Sequence, residues 1–159
     1  MSTVQPDHST LAWGEELRAR GRRVTRQRLV VLEAAHEQPH QGAESIWFHA
    51  RTQLPDLTLQ SVYTILGDLT ELDLLRKIEP DSGPARYETR VGDNHHHAIC
   101  ERCGLVEDVE CVVGEAPCLE PSSTSITVRR ADVTFFGLCQ NCLNSQGTLI
   151  SDPASRPIP

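Results

Sequence analysis

Two Cys-x-x-Cys pairs, Cys100-Glu-Arg-Cys103 and Cys139-Gln-Asn-Cys142, stand 35 residues apart in the second half of this 159-residue chain. Nothing else in the sequence limits the fold so strongly. Four thiolates arranged this way form a tetrahedral set for Zn²⁺. Their separation exceeds that of a simple zinc ribbon, so they are expected to clamp opposite ends of a small sheet. The surrounding sequence needs such a fastener. Its apolar runs are short, at Ala98-Ile99, Leu105-Val106, Ile126-Thr-Val128 and Val133-Thr-Phe-Phe136. They predict a sheet of about four strands with too few core residues to be stable unaided. A structural zinc supplies on the order of 10–16 kcal/mol of apparent binding energy that doubles as folding energy. The competing reading, a redox dithiol, needs only one pair with a lowered thiolate pKa.

The first half carries its own core. Residues 11–20 form a short helical segment ending at Gly21, and Thr25 caps a second helix that runs to Pro39. Ala43 to Thr52 suits a third. Thr58 caps a fourth with the clearest period in the chain: Leu59, Val62, Ile65, Leu66, Leu69 and Leu72 form one apolar stripe. Leu75–Ile78 and Ala85–Glu88, joined by Pro80-Asp-Ser-Gly83, read as a hairpin. Helices followed by a hairpin give a winged helix-turn-helix, whose recognition helix enters the major groove. Its polar first turns, with Gln60, Ser61, Tyr63 and Thr64, suit base edges and phosphates. The bland alternative is a helical domain with a merely soluble face.

Net charge is −7, with 38% hydrophobic and only 4% aromatic residues. That excludes a disordered polyelectrolyte and a large aromatic core. An acidic sum argues against nucleic acid, but the distribution argues for it. All six charges from Arg18 to Arg28 are arginine, including Arg22, Arg23 and Arg26. Such a block seats a phosphate backbone while the acidic remainder suppresses loose sticking; alone, it is more often a solvated helix face. No run of 18 apolar residues exists, so no membrane partner is expected. The first residues lack a signal core, which predicts a cytoplasmic protein.

His95, His96 and His97 directly precede the first cysteine pair. On a strand, His95 and His97 share one face and His96 takes the other. With Glu88 and Asp108 nearby, a second metal site follows, and its nitrogen and oxygen donors suit Fe²⁺ or Mn²⁺. A polar surface loop is the competing reading. Cys111 and Cys118 lie between the cysteine pairs as candidate redox thiols or small buried hydrophobes.

Several stretches then resemble the ferric uptake regulator family: Arg23–Arg28, Pro39–Ile46, Gln60-Ser-Val-Tyr63, Gly92–Gly104 and Gly137–Cys142, collinear over about residues 11–143. Arg86–Asn94 and Cys111–Leu119 look like the actinobacterial FurA/CatR branch. The resemblance implies an α+β protein, with an N-terminal winged helix and a C-terminal small α/β dimerisation domain, acting as a metal-dependent homodimeric transcriptional repressor that binds double-stranded DNA. It puts structural zinc on Cys100, Cys103, Cys139 and Cys142, and the regulatory Fe²⁺ or Mn²⁺ on His40, Glu88, His95, His97 and Asp108. The family's recognition-helix tyrosine matches Tyr63, while Thr64 replaces a position that is often basic. A further family metal site fits poorly: His96, Glu115 and Asn94 match, but Ala131 stands where histidine is usual. A long dimerisation helix is opposed by Pro117 and Pro121.

The expected organisation is a tail at 1–10, the winged helix at 11–88, a hinge at 89–94, the zinc-clamped domain at 95–143 and a tail at 144–159. The branch implies redox-responsive repression of a catalase-peroxidase gene and of the protein's own gene, at a palindromic, A/T-rich operator. Alternatives are an iron- or zinc-level regulator without redox sensing, a zinc hydrolase using Glu101 as base, and a thiol oxidoreductase.

Overall fold

The computed structural model describes residues 10–81, 83–113, 119, 123–128 and 131–145. Helix α1 (Thr10–Ala19) leads through Gly21, at φ +70°, into α2 (Arg26–Glu37). The Thr25 side chain accepts a hydrogen bond from the Arg28 backbone N–H and so caps α2. Helix α3 spans Ala43–Ala50. Thr58 caps α4 (Leu59–Glu71) by accepting from the Ser61 N–H at 3.1 Å. The stripe on α4 faces inward: Val62, Leu66 and Leu69 are fully buried against Leu17, Val31, Leu32, Ile46, Leu74 and Leu75. Strands β1 (Arg76–Ile78) and β2 (Arg86–Glu88) then pair antiparallel, with Arg76 opposite Glu88.

Residues 89–94 carry neither helix nor strand. Beyond them, β3 (His95–Cys100) lies between β4 (Val106–Glu110), antiparallel to it, and β5 (Thr134–Gly137), parallel to it. A short helix α5 (Gln140–Asn144) follows. Among the described residues the buried apolar cluster here is small, as the short runs implied: Ile99 and Val106 pack with Ile78 of β1.

The α+β class and the winged-helix order match the sequence reading, with two differences in the C-terminal part. Among the described residues the sheet has three strands rather than about four. Among those residues Ile126–Val128 joins no ladder; Ile126 is 73% exposed and its N–H donates to the Thr124 hydroxyl. Helix α5 was not foreseen, since five residues give no legible period. Glu115, Pro117, Cys118 and Pro121 lie outside the described residues.

Leu66 is wholly buried and Leu11 is 81% exposed. Leu66→Ala should cost about 2–5 kcal/mol in denaturant unfolding, and Leu11→Ala less than about 0.5 kcal/mol. Equal effects would contradict the packing described.

Candidate metal centres

Cys100 ends β3, and the turn through Gly104, at φ +70°, returns the chain so that Cys103 faces it. Cys139 is the N-cap of α5 and Cys142 its buried residue. One sulfur from each lies within 4.8 Å of the others. Cys103 Sγ and Cys139 Sγ are 3.7 Å apart; sulfurs about 2.3 Å from a shared tetrahedral ion stand about 3.8 Å apart. The Cys139 backbone N–H donates to Cys100 Sγ, which helps to hold that thiol's pKa down at about 6. Burial, with three other sulfurs alongside, pushes Cys142 up to about 12. Four sulfurs this close cannot all ionise without a cation, so the donor set fits one.

The second cluster lies where three parts of the fold converge. His40 follows α2 in the left-handed region, at φ +61°, a conformation histidine tolerates better than most residues. Its backbone is tied to the wing: His40 N–H donates to the Tyr87 carbonyl, and Tyr87 N–H to the Gln41 carbonyl. The imidazole thereby meets Glu88 at the end of β2, with Nε2 2.9 Å from Oε2. From β3, His95 Nε2 and His97 Nε2 lie 3.0 and 3.2 Å from Glu88 Oε1. From β4, Asp108 Oδ1 sits 2.8 Å from His40 Nε2.

Glu88 is only 1% exposed. Burial disfavours its charge, but three imidazoles outweigh that and hold its carboxyl well below the usual range. His40 shows the reverse balance: burial opposes its proton, and Asp108 and Glu88 overcome it, raising the pKa to about 9. His95 rises and Asp108 falls in the same way, each against a burial penalty. Asp108 Oδ1 is nonetheless buried without an aligned hydrogen bond. His95 Nε2 and His97 Nε2 face each other at 3.2 Å. Donors about 2.1 Å from one cation stand about 3.0 Å apart at adjacent octahedral corners, and these spacings fit such a set.

All five residues singled out in the sequence therefore meet. His40, Glu88, His97 and Asp108 form the tighter foursome and His95 its flank. Three further contributors were missed. Asp93 accepts from His95 Nδ1 at 2.6 Å and orients the ring. Arg90 holds Asp108 Oδ2 at 3.0 Å, and Arg76 stands 3.7 Å from Glu88 Oε1.

On α4, Gln60, Tyr63 and Thr64 are exposed, while Ser61 is half-buried beside its cap. Arg23 and Arg26 are exposed. Arg22 and Arg28 both grip Asp68 of α4, at 2.9 Å each. Cys111 is half-buried just past β4.

The model of the ferric uptake regulator family matches residues 19–116. The chain belongs to that family. A transcriptional regulator FurA from Mycobacterium tuberculosis is 48% identical over 143 residues, 89% of this chain and 93% of that one. Ferric uptake regulation protein 1 of Mycolicibacterium fortuitum is 52% identical over 121 residues, 76% of this chain and 75% of that one. Among solved folds, the Helicobacter pylori ferric uptake regulator, described as having three functional metal-binding sites, superposes with TM-score 0.67 at 22% identity, covering 90% of this chain and 97% of that one. Family membership makes this chain a transcriptional regulator rather than an enzyme.

Cys100→Ser should abolish a tightly held zinc and loosen the sheet domain. Metal analysis combined with calorimetry checks this; a zinc-free variant melting cooperatively at the wild-type temperature would disprove the clamp.

Proposed function

We propose that this family member is a homodimeric, metal-dependent, redox-responsive repressor that binds a two-fold symmetric, A/T-rich operator, controlling a catalase-peroxidase gene and its own gene. The observation that carries the reading is the interdomain cluster. His40 comes from the helical part, Glu88 from the wing, and His95, His97 and Asp108 from the sheet. Ligands drawn from all three, when they share an ion, tie the two domains to one angle. In a dimer that angle sets the distance between the two α4 helices, and hence their fit to successive major grooves. Fe²⁺ or Mn²⁺ is the regulatory ion by donor chemistry, and Zn²⁺ fills the four-cysteine site. For dimerisation the supporting feature is apolar surface on and beside the small sheet, where Leu105, Phe135, Phe136, Leu138 and Leu143 are all exposed.

DNA contact is assigned to Arg22, Arg23, Arg26, Gln60, Ser61, Tyr63 and Thr64. Tyr63, 47% exposed on the second turn of α4, reads bases. The arginines seat the backbone. Arg23→Gln should reduce the salt slope of binding by about 0.9 per protomer and weaken all sequences alike, whereas Tyr63→Ala should lower discrimination between operator and random DNA. Operator affinity untouched by both changes would overturn the DNA surface.

Redox sensing has two routes, through the histidines around an oxidisable Fe²⁺ or through Cys111 and Cys118. Limiting peroxide on anaerobic Fe²⁺- and Mn²⁺-loaded protein separates them. Loss of operator binding with iron alone supports the histidine route. Loss with both metals, reversed by dithiothreitol and absent in Cys111→Ser, supports the thiol route. Indifference of both forms leaves a metal-level regulator without redox sensing.

A further inference from the structure

Two guanidinium groups press against the interdomain cluster, and they grip it differently. Arg90 takes Asp108 through Oδ2, at 3.0 Å, and continues outward to Glu110 at 2.8 Å and to Asp93. It thus holds the outer oxygen and leaves Oδ1 facing His40, His95 and His97. Arg76 takes the inner side. It stands opposite Glu88 in the hairpin register, where directly paired residues share a face. Its Nη1 lies 3.7 Å from Glu88 Oε1, the same oxygen that His95 and His97 face, and 3.3 Å from His95 Nε2. The second amino group, Nη2, lies 3.3 Å from Asp132 Oδ1, two residues ahead of β5. The Arg76 side chain is only 15% exposed, so solvent screens its charge weakly.

We propose that Arg76 is the internal counter-ion of the metal-free protein, competing with the regulatory divalent cation for Glu88 Oε1 and thereby setting the metal concentration at which the site fills. The proposal rests on the reading of His40, Glu88, His95, His97 and Asp108 as the regulatory metal site. An imidazole proton can leave to solvent when a metal arrives. A guanidinium stays charged at any accessible pH, so Arg76 must yield its contacts or remain as a like charge beside the ion. Asp132 gives it somewhere to go, because Nη2 already reaches that carboxylate. Filling of the site then converts a wing-to-ligand pairing into a wing-to-sheet pairing. Removing the charge should favour metal and penalise the metal-free state, which is the reverse of what loss of a ligand-orienting residue does.

The test uses the full-length protein with its cysteine-bound zinc in place and Mn²⁺ as the probe. Mn²⁺ affinity is measured by chelator competition at fixed ionic strength, and thermal unfolding is followed with and without Mn²⁺. Arg76→Gln should bind Mn²⁺ at least about tenfold more tightly, and its Mn²⁺-free form should melt below wild type. Arg76→Lys keeps the charge and should stay within about threefold of wild type. Asp132→Asn removes the fallback partner and should weaken Mn²⁺ binding; if Arg76→Gln does not fold, this variant carries the decision. Affinity that is unchanged or weaker in folded Arg76→Gln, or unchanged in Asp132→Asn where that variant decides, overturns the proposal. His97→Ala serves as the control. Mn²⁺ binding indifferent to His97→Ala overturns the metal-site reading and Arg76 with it, whereas sensitivity to His97→Ala without the Arg76 response overturns Arg76 alone.

Discussion

The Glu88 carboxylate holds the structure together across its main division. Its two oxygens are split: Oε2 meets His40 from the helical part, and Oε1 meets His95 and His97 from the sheet. A carboxylate this buried is costly unless partners surround it. Its partners come from both sides of the 89–94 segment, so the side chain is satisfied only when the two parts stand at the observed angle. The left-handed His40 backbone and the Gln41–Tyr87 bridge belong to the same arrangement, because they aim one of those partners across the gap.

Around this junction the two halves reach stability by different means. The helical half relies on packing, with Leu17, Val31, Leu32, Ile46, Val62, Leu66 and Leu69 all fully buried. The sheet half has only a small apolar cluster, and Phe135 and Phe136 on its edge strand are half exposed. Four sulfurs at β3, its following turn and α5 stand where a core would otherwise be needed. Since the sheet supplies three of the five clustered side chains, the precision of that cluster depends on the part of the fold where the four sulfurs converge.

Much of this was legible in the chain. Thr25 and Thr58 announced the starts of α2 and α4, the period of α4 marked its buried face, and the cysteine spacing picked out the four sulfurs that converge. Alternation alone put His95 and His97 on one face of β3. What stayed hidden were charged residues that local pattern assigns to solvent. Asp93 precedes His95 by two, so extending the strand's alternation backward would have flagged it. Arg76 was also within reach, because the hairpin register puts it opposite Glu88. Arg90 gave no signal, since its partners lie on β4 and in the connecting segment, and no local rule joins them. The strand expected at Ile126–Val128, not seen among the described residues, differs for the opposite reason: apolar alternation is necessary for a strand but does not by itself supply a partner.

The route from the interdomain cluster to helix α4 is short and stiff. Glu88 ends β2, β2 pairs with β1, and β1 continues α4 through Leu74 and Leu75, both nearly fully buried in the helical core. A force on Glu88 therefore moves α4 with the whole helical part rather than bending a loop between them. Under the regulatory reading, sensing needs no internal change in the winged helix. It needs a bias on how that rigid part sits against the sheet. Taking such an equilibrium from 1:99 to 99:1 requires roughly a 10⁴-fold preference of the metal for one arrangement. A site whose donors are divided between the two bodies has that preference built in, because any other angle withdraws His40 and Glu88 together from the three donors on the sheet.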